Sequence, residues 1–350
     1  MDTTEFWNGR RVLITGHTGF KGSWLSTWLV RLGSTVTGVA LEPHTDPAMF
    51  NLLGLNKHMD SHIVDIRDAA ALEKAVQACQ PEIIIHMAAQ ALVRESYTDP
   101  VGTFMTNVMG TAHLLEAARG AKNLGAVVII TSDKCYENRE WVWGYRENDA
   151  MGGHDPYSAS KGCAELVTAS YRQSFGDDIS LASARAGNVI GGGDWSQDRL
   201  IPDIVRAVEA NEVVQIRNPG AIRPWQHVME PLAGYLLLAE RLFTGGSQYA
   251  GAWNFGPSID DTQPVSALVE RLSQTFELQW QIDAGEHPHE ARFLKLDISK
   301  ALSDLGYRPR ISLDTALDWT AEWYQAHFDG QNMLDVTQRQ IDDFGRYKRA

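Results

Sequence analysis

Between Thr131 and Lys161 the chain gathers side chains that can exchange protons within one short stretch. Ser132, Asp133 and Lys134 follow at once on an apolar run, and Tyr157 and Lys161 stand four residues apart in "PYSASK". On a helix that spacing puts the phenol and the amine on one face. An isolated tyrosine titrates near pH 10, about where it stays unless something charged lies close, and an ammonium beside it favours the phenolate. The pair is then a base for the proton of an alcohol. The spacing is common by chance, so its meaning depends on the elements that carry it. An aromatic-rich insert, "NREWVWGYREND", separates the two groups. It is expected either to cover a nearby site against water or to pack on a second lobe.

Those elements are legible as an alternation. "RRVLITG" (Arg10–Gly16), "TVTGVAL", "HIVDI", "EIIIHMAA", "AVVIITS" and "SLASARAGNVIG" read as buried strands, with helical stretches between them such as Lys21–Leu32, "ALEKAVQAC" and "TNVMGTAHLLEAARG". Continuous apolar strands separated by helices predict an α/β fold, a doubly wound parallel sheet covered on both faces with right-handed crossovers. Asp133 and Lys134 then sit at the carboxyl edge of the fifth strand, where such sheets bind ligands.

"TGHTGFKG" follows the first strand and opens the first helix. In its GxxGxxG spacing, Gly16 allows a tight turn, Gly19 lets the backbone approach a pyrophosphate, and Gly22 permits close helix–strand packing. The strand–turn–helix context makes this a dinucleotide site. The acidic residue that usually ends the second strand to hold the adenosine ribose is missing; Ala40 stands near that position and Glu42 beyond it. His17, Phe20 and Lys21 lie in the loop itself, so the adenosine end is expected to be held unusually, with NAD expected over NADP. Asp65, ending the third strand beside Ile66, is either an adenine contact or the N-cap of the next helical segment.

After Asn188 the pattern loosens into a Gly-rich loop, "GGGDWSQDR", and the helices "LIPDIVRAVEA", "EPLAGYLLLAERLF" and "VSALVERLSQTF". We divide the chain into residues 1–187, a Rossmann-type nucleotide-binding domain, and residues 188–350, a smaller mixed α/β substrate lobe from which some segments return to the first domain. The cleft between them is the expected ligand site. The net charge of −13 argues against nucleic-acid or anionic membrane partners, and three scattered cysteines without a CxxC pair suggest neither disulfides nor a thiolate metal site. No apolar run approaches the roughly 20 residues that span a bilayer. The polar N-terminus carries no apolar signal segment, so a cytoplasmic protein is expected.

Over nearly its whole length the chain resembles the extended short-chain dehydrogenase/reductase superfamily, through the glycine loop, "HMAAQ", the hydroxyl before Asp133, the YxxxK pair and "LDISKALSDLGYRP". "TGHTGFKGSWL", "TSDKCYEN", "AGNVIGGGDW" and "IRPWQHV" resemble the nucleotide-sugar 4,6-dehydratases, in particular the branch acting on CDP-glucose. The resemblance implies NAD, an NDP-hexose substrate such as CDP-glucose, a place in deoxysugar and lipopolysaccharide synthesis, and a homodimer or larger assembly. In the family, helices such as "TNVMGTAHLLEAARG" and the one carrying Tyr157 pair across a two-fold axis.

It also implies roles. Ser132 would hydrogen-bond the sugar O4, Tyr157 would take its proton while C4 gives hydride to the nicotinamide, and Lys161 would hold the cofactor ribose. Asp133 and Lys134 are surplus to a simple reductase. In a dehydratase the C4 ketone acidifies the C5 proton; Lys134, if neutral, would remove it, and Asp133 would protonate the departing C6 hydroxyl. The dTDP-glucose dehydratases carry Glu where Lys134 stands, so a lysine base departs from their pattern. Ala88 and Ala89 would leave room for the nicotinamide half, with Asn107 and Thr131 on the same side. Gln90 is expected to face the substrate, Asn188 a phosphate, and Arg199, Arg223 and Arg292 are candidates for bidentate phosphate contacts. His86, His113 and His227 are expected to satisfy local hydrogen bonds, and "HPHE" (His287–Glu290) lacks the spacing of a metal site. An NDP-sugar 4-epimerase, which needs no elimination pair, is the rival reading. A catalytically silent NAD(P)-binding regulator is another, though one with no use for a poised phenol.

Overall fold

Seven segments pair side by side as one sheet in the computed structural model, which describes residues 3–176, 178–258, 261–283, 285 and 293–347, all but the exposed edge segment Asp60–Ile63 largely buried. They are β1 (Arg11–Thr15), β2 (Thr35–Ala40), β3 (Asp60–Ile63), β4 (Ile83–His86), β5 (Ala126–Ile130), β6 (Leu181–Ala186) and β7 (Gly251–Phe255). All neighbours are parallel, in the order β7-β6-β5-β4-β1-β2-β3. The order reverses between β1 and β4, which opens a crevice at their carboxyl ends. This is the doubly wound Rossmann-type architecture read from the sequence.

The helices that frame it are α1 (Phe20–Arg31), α2 (Ala69–Cys79), α3 (Gly110–Arg119), α4 (Pro156–Ser174), α5 (Leu200–Ala210), α6 (Met229–Gly245), α7 (Val265–Phe276), α8 (Leu313–Phe328) and α9 (Met333–Arg346). Because strand side chains alternate, each strand feeds both layers. Val12, Ile14, Ile83, Ile85, Val128 and Ile130 face a core shared with Trp24 and Leu29 of α1, Leu232 of α6, and Trp323 of α8. Leu13, Ile84, Val127 and Ile129 face Leu72 and Val76 of α2 and Leu114 and Leu115 of α3. Apolar layers on both sides are why these strands read as unbroken apolar runs.

The division at residue 187 does not cut the sheet cleanly, since α6 packs on it and β7 extends it beyond β6. The smaller lobe is built from α5, α7 and short pairings: Val214–Ile216 with Trp280–Ile282, and Ile222–Pro224 with Thr262–Pro264. Among the described residues no helix is long and apolar enough to cross a membrane, and no group of three or more His, Cys, Asp or Glu is placed to hold a metal ion.

Candidate active site

The glycine loop turns tightly because Gly16 takes φ = 79° and lies against the chain after β4. A Cβ on Gly16 would stand 2.7 Å from the Ala88 nitrogen, and one on Gly22 would stand 2.1 Å from the Gly16 carbonyl oxygen. Internal packing therefore demands both glycines. Gly19, the N-cap of α1, is different: a Cβ there would meet no protein atom nearer than 3.5 Å. Its bareness leaves room for an approach from outside, such as a pyrophosphate makes to the N-terminus of a helix. The residues present fit a dinucleotide.

His17 is fully buried, with Nε2 2.7 Å from Ser61 Oγ and its ring packed on Gly38 and Phe50. Burial pushes its pKa down to about 4, so the imidazole is neutral. Asp65 is not a helix N-cap; Asp68 caps α2, while Asp65 holds Arg67 at 2.6 Å. Ile66 is buried where α3 begins, against Gly110, and its carbonyl lies 3.1 Å from His113 Nδ1.

The candidate reacting groups converge at the carboxyl ends of β5 and β6. Asp155 caps α4 by accepting from the Ser158 amide at 2.9 Å, and Pro156 fits the first turn, so Tyr157 enters the crevice at the very start of the helix. Tyr157 and Lys161 are both buried. The expectation that Lys161 draws the phenol downward is not met. Burial pushes Tyr157 up to about 12, against the Ser132 hydrogen bond and the Arg199 charge. Lys161 instead reaches the Ile130 carbonyl at 3.4 Å, and burial lowers it to about 8. Ser132 Oγ donates to Asp133 Oδ1 at 3.0 Å and accepts from the Lys134 amide at 3.2 Å. Burial raises the Asp133 carboxyl, the charge of Lys134 opposing it. Its Oδ2 has no hydrogen-bond partner among the described residues and lies beside Gly187, where a Cβ would come within 3.0 Å. A buried carboxyl with an unengaged oxygen and a raised pKa is suited to give up a proton.

A cavity of about 670 Å³ joins these groups to the smaller lobe. That is a size for a small-molecule ligand. Phe20, Lys21, Thr131, Asn188, Arg199 and Arg223 line it. Lys21 is pushed down to about 8 by burial and by the charges of Arg199 and Lys161. Arg199 pairs with Asp194 at 2.9 Å. Gln90 departs from expectation: its side-chain amide donates to Leu92 and Thr103 at 2.9 and 3.0 Å and clamps its own loop. Asn107 likewise ties the Gln90 backbone to Ser160 Oγ, at 3.0 and 2.8 Å, from a π-helical turn entering α3. Ala89 follows Ala88 in the same loop after β4. Arg292 and "HPHE" lie outside the described residues. Of the aromatic insert's two readings, the structure shows packing on the second lobe; none of Trp141, Trp143 and Tyr145 lines the cavity. Tyr145 stacks on Tyr136 and joins the Lys295–Asp297 backbone of the second lobe, while Glu137, Asn138 and Glu140 edge the cavity.

A family model described as GDP-mannose 4,6 dehydratase matches residues 13–320. A CDP-glucose 4,6-dehydratase of Salmonella typhimurium is 53% identical over 97% of each chain. The chain belongs to the GDP-mannose 4,6 dehydratase family. More distant relatives diverge in chemistry. UDP-glucuronate 4-epimerase 3 of Arabidopsis thaliana is 27% identical over 92% of this chain and 78% of its own. A dTDP-glucose 4,6-dehydratase of Streptomyces venezuelae, solved with NAD bound, superposes with a TM-score of 0.80 at 24% identity, over 93% of this chain and 99% of that one.

Beneath the Tyr157–Lys161 pair lies a support that sequence reading missed. Glu165 accepts from Thr131 Oγ1 at 2.5 Å, from Ser183 Oγ at 2.7 Å and from Arg185 Nη2 at 2.8 Å. Burial alone would raise this carboxyl, but the Arg185 charge and these donors hold it below the usual range. The cluster ties α4 to the strand ends that carry Ser132. Breaking such a buried pair from one side costs about 3–5 kcal/mol. Two signals were available: Glu165 continues the four-residue step from Tyr157 and Lys161, and Arg185 is a charge inside a fully buried strand.

Proposed function

We propose that this chain dehydrates CDP-glucose to CDP-4-keto-6-deoxyglucose with NAD as a cofactor that ends each turnover unchanged. The observation that carries this over epimerisation is Asp133: a buried carboxyl with a raised pKa beside Ser132 and Tyr157, for which exchange of configuration at C4 has no use. NAD, held by the α1 N-terminus and the Gly16–Gly22 loop, supplies the acceptor for hydride from C4 and its donor to C6. Tyr157 takes the C4 hydroxyl proton, with Ser132 orienting that oxygen. The Arg199 charge favours the phenolate that burial resists. Asp133 delivers a proton to the C6 hydroxyl as it leaves, and Lys134, next in the chain and lining the cavity, would remove and return the C5 proton once it has given up its own. The relative at 53% identity supports CDP-glucose as the substrate. The assay is direct: supply CDP-, dTDP-, UDP- or GDP-glucose with NAD and follow the alkaline absorbance of the 4-keto sugar. Formation of an epimerised sugar without a 4-keto product would end the dehydratase reading.

The glycine loop gives a paired expectation. Gly22→Ala forces a Cβ into the Gly16 carbonyl and should destabilise the fold by roughly 1–3 kcal/mol. Gly19→Ala adds only an ordinary 3.5 Å contact with the Gly16 carbonyl oxygen, so its melting temperature should match wild type while NAD binds more weakly. Equal NAD affinity in Gly19→Ala would remove the pyrophosphate from this loop.

The active chain is proposed to be a homodimer. Val101 is 72% exposed and Leu166 60%, and Tyr97, Phe104, Met105 and Met109 add apolar surface on the helical segments leading into α3, beside α4. A patch of this kind on helices is the usual seam of a two-fold bundle. Light scattering should give a dimer or larger at micromolar concentration, and Leu166→Glu should shift it toward monomer. A monomeric wild type refutes the assembly.

A further inference from the structure

One charge arrangement lining the crevice has no part in the dehydration chemistry. Asp198, in the loop before α5, adopts φ = 60°, a left-handed backbone unusual for a residue with a side chain. Its Oδ1 lies 3.3 Å from Arg94 Nη1 and 3.5 Å from Arg217 Nη1, and its carbonyl accepts from Arg217 Nη2 at 3.2 Å. Arg94 stands on the helix Val93–Thr98 that follows β4, in the sheet domain. Arg217 follows the strand Val214–Ile216, in the smaller lobe. All three line the same cavity as Asp133, Asn188 and Arg223. A single carboxylate thus links guanidinium groups from the two sides of the substrate crevice.

Such a link is weak by construction. The three side chains are 39%, 38% and 20% exposed for Arg94, Asp198 and Arg217, and ion pairs this open to water contribute little to stability. Guanidinium forks bind phosphate oxygens in pairs and gain more from a multiply charged anion than from one carboxylate. A diphosphate entering this cavity competes with Asp198 for both arginines.

We propose that Asp198 is a built-in competitor for the substrate's diphosphate, and that Arg94 and Arg217, which it holds across the crevice, are guanidiniums the nucleotide takes over on binding. The proposal rests on a nucleotide-sugar substrate occupying this cavity. It makes Asp198 a setter of affinity: its charge weakens nucleotide binding and keeps the two sides linked until a nucleotide arrives.

The test is calorimetric titration of the full chain, saturated with NAD, with CDP. Asp198→Asn keeps size and tolerates the left-handed backbone but removes the charge. It should bind CDP about two- to fivefold more tightly than wild type. Arg94→Gln and Arg217→Gln should each weaken CDP about tenfold or more, and should do so equally in the Asp198→Asn background. Unchanged or weaker CDP binding in Asp198→Asn, with an unshifted melting temperature, overturns the proposal. So does wild-type affinity in either arginine variant. Binding is read without turnover, so the two readings fail separately. A wild type that binds CDP but never makes a 4-keto sugar defeats the dehydratase assignment while the Asp198 result still stands or falls on its own titration. Absence of CDP binding by the wild type defeats both.

Discussion

Tyr157→Phe is expected to lower turnover of CDP-glucose by about 10²- to 10⁴-fold, the range of a lost general base, with CDP and NAD binding near wild type. The substitution removes one oxygen and keeps a ring that is 8% exposed at the first turn of α4, so the helix start and its Asp155 cap are undisturbed. What it removes cannot be supplied by a neighbour. Ser132 shares its hydroxyl with Asp133 and the Lys134 amide, and Lys161 reaches the Ile130 carbonyl rather than the crevice. The phenol is pushed up to about 12 by burial, so it holds its proton until positive charge accumulates around it. Arg199 is one such charge, and the oxidised cofactor would be another. Steady-state rates with parallel CDP and NAD titrations check this. Full activity in the Phe variant would take the proton-abstracting role away from Tyr157.

The same tyrosine marks the limit of what the sequence discloses. Its four-residue step to Lys161 was legible, and so was the glycine loop, because each depends on local spacing within one element. The strands were legible for a related reason: burial on both faces leaves Leu13, Ile14, Ile84 and Ile85 no polar alternation to hide behind. The direction of the Tyr157 shift was not legible, because burial is set by everything packed around the residue and outweighed the Ser132 hydrogen bond and the Arg199 charge, neither of them visible in the motif. Gln90 was read as facing the substrate and Asn107 as a cofactor contact on a helix, yet their amides face the protein, an orientation decided by Leu92, Thr103 and Ser160. The arginines show the difficulty most plainly. Arg94 and Arg217 are far apart in sequence and ordinary in context, and only the folded loop brings Asp198 between them. β7 escaped for a similar reason: "GAWNF" is short and follows a helix of the smaller lobe's stretch of chain, and its place beside β6 is a matter of topology.

Asp133→Asn should separate the two halves of the reaction. Asparagine keeps the size of the side chain and its hydrogen bond with Ser132 but has no proton of carboxylic acidity to deliver. Oxidation at C4 depends on Tyr157 and should survive. Loss of the C6 hydroxyl should slow by at least an order of magnitude, about the lower bound of a lost general acid, so bound NADH accumulates after CDP-glucose is added and decays slowly. Burial is what makes the effect large: the Asp133 carboxyl is 2% exposed, and bulk water has little access to stand in as acid. Substrate deuterated at C4 supplies the second readout. In the wild type the deuterium should appear at C6 of the product, because hydride leaves C4 and returns two carbons away only after water has been lost. An epimerase would return it to C4, and its rate would be indifferent to Asp133. Deuterium retained at C4 of an epimerised sugar would therefore overturn the dehydratase reading even in a chain that carries every one of these groups, since the label reports which carbon received the hydride and the residues only make one destination possible.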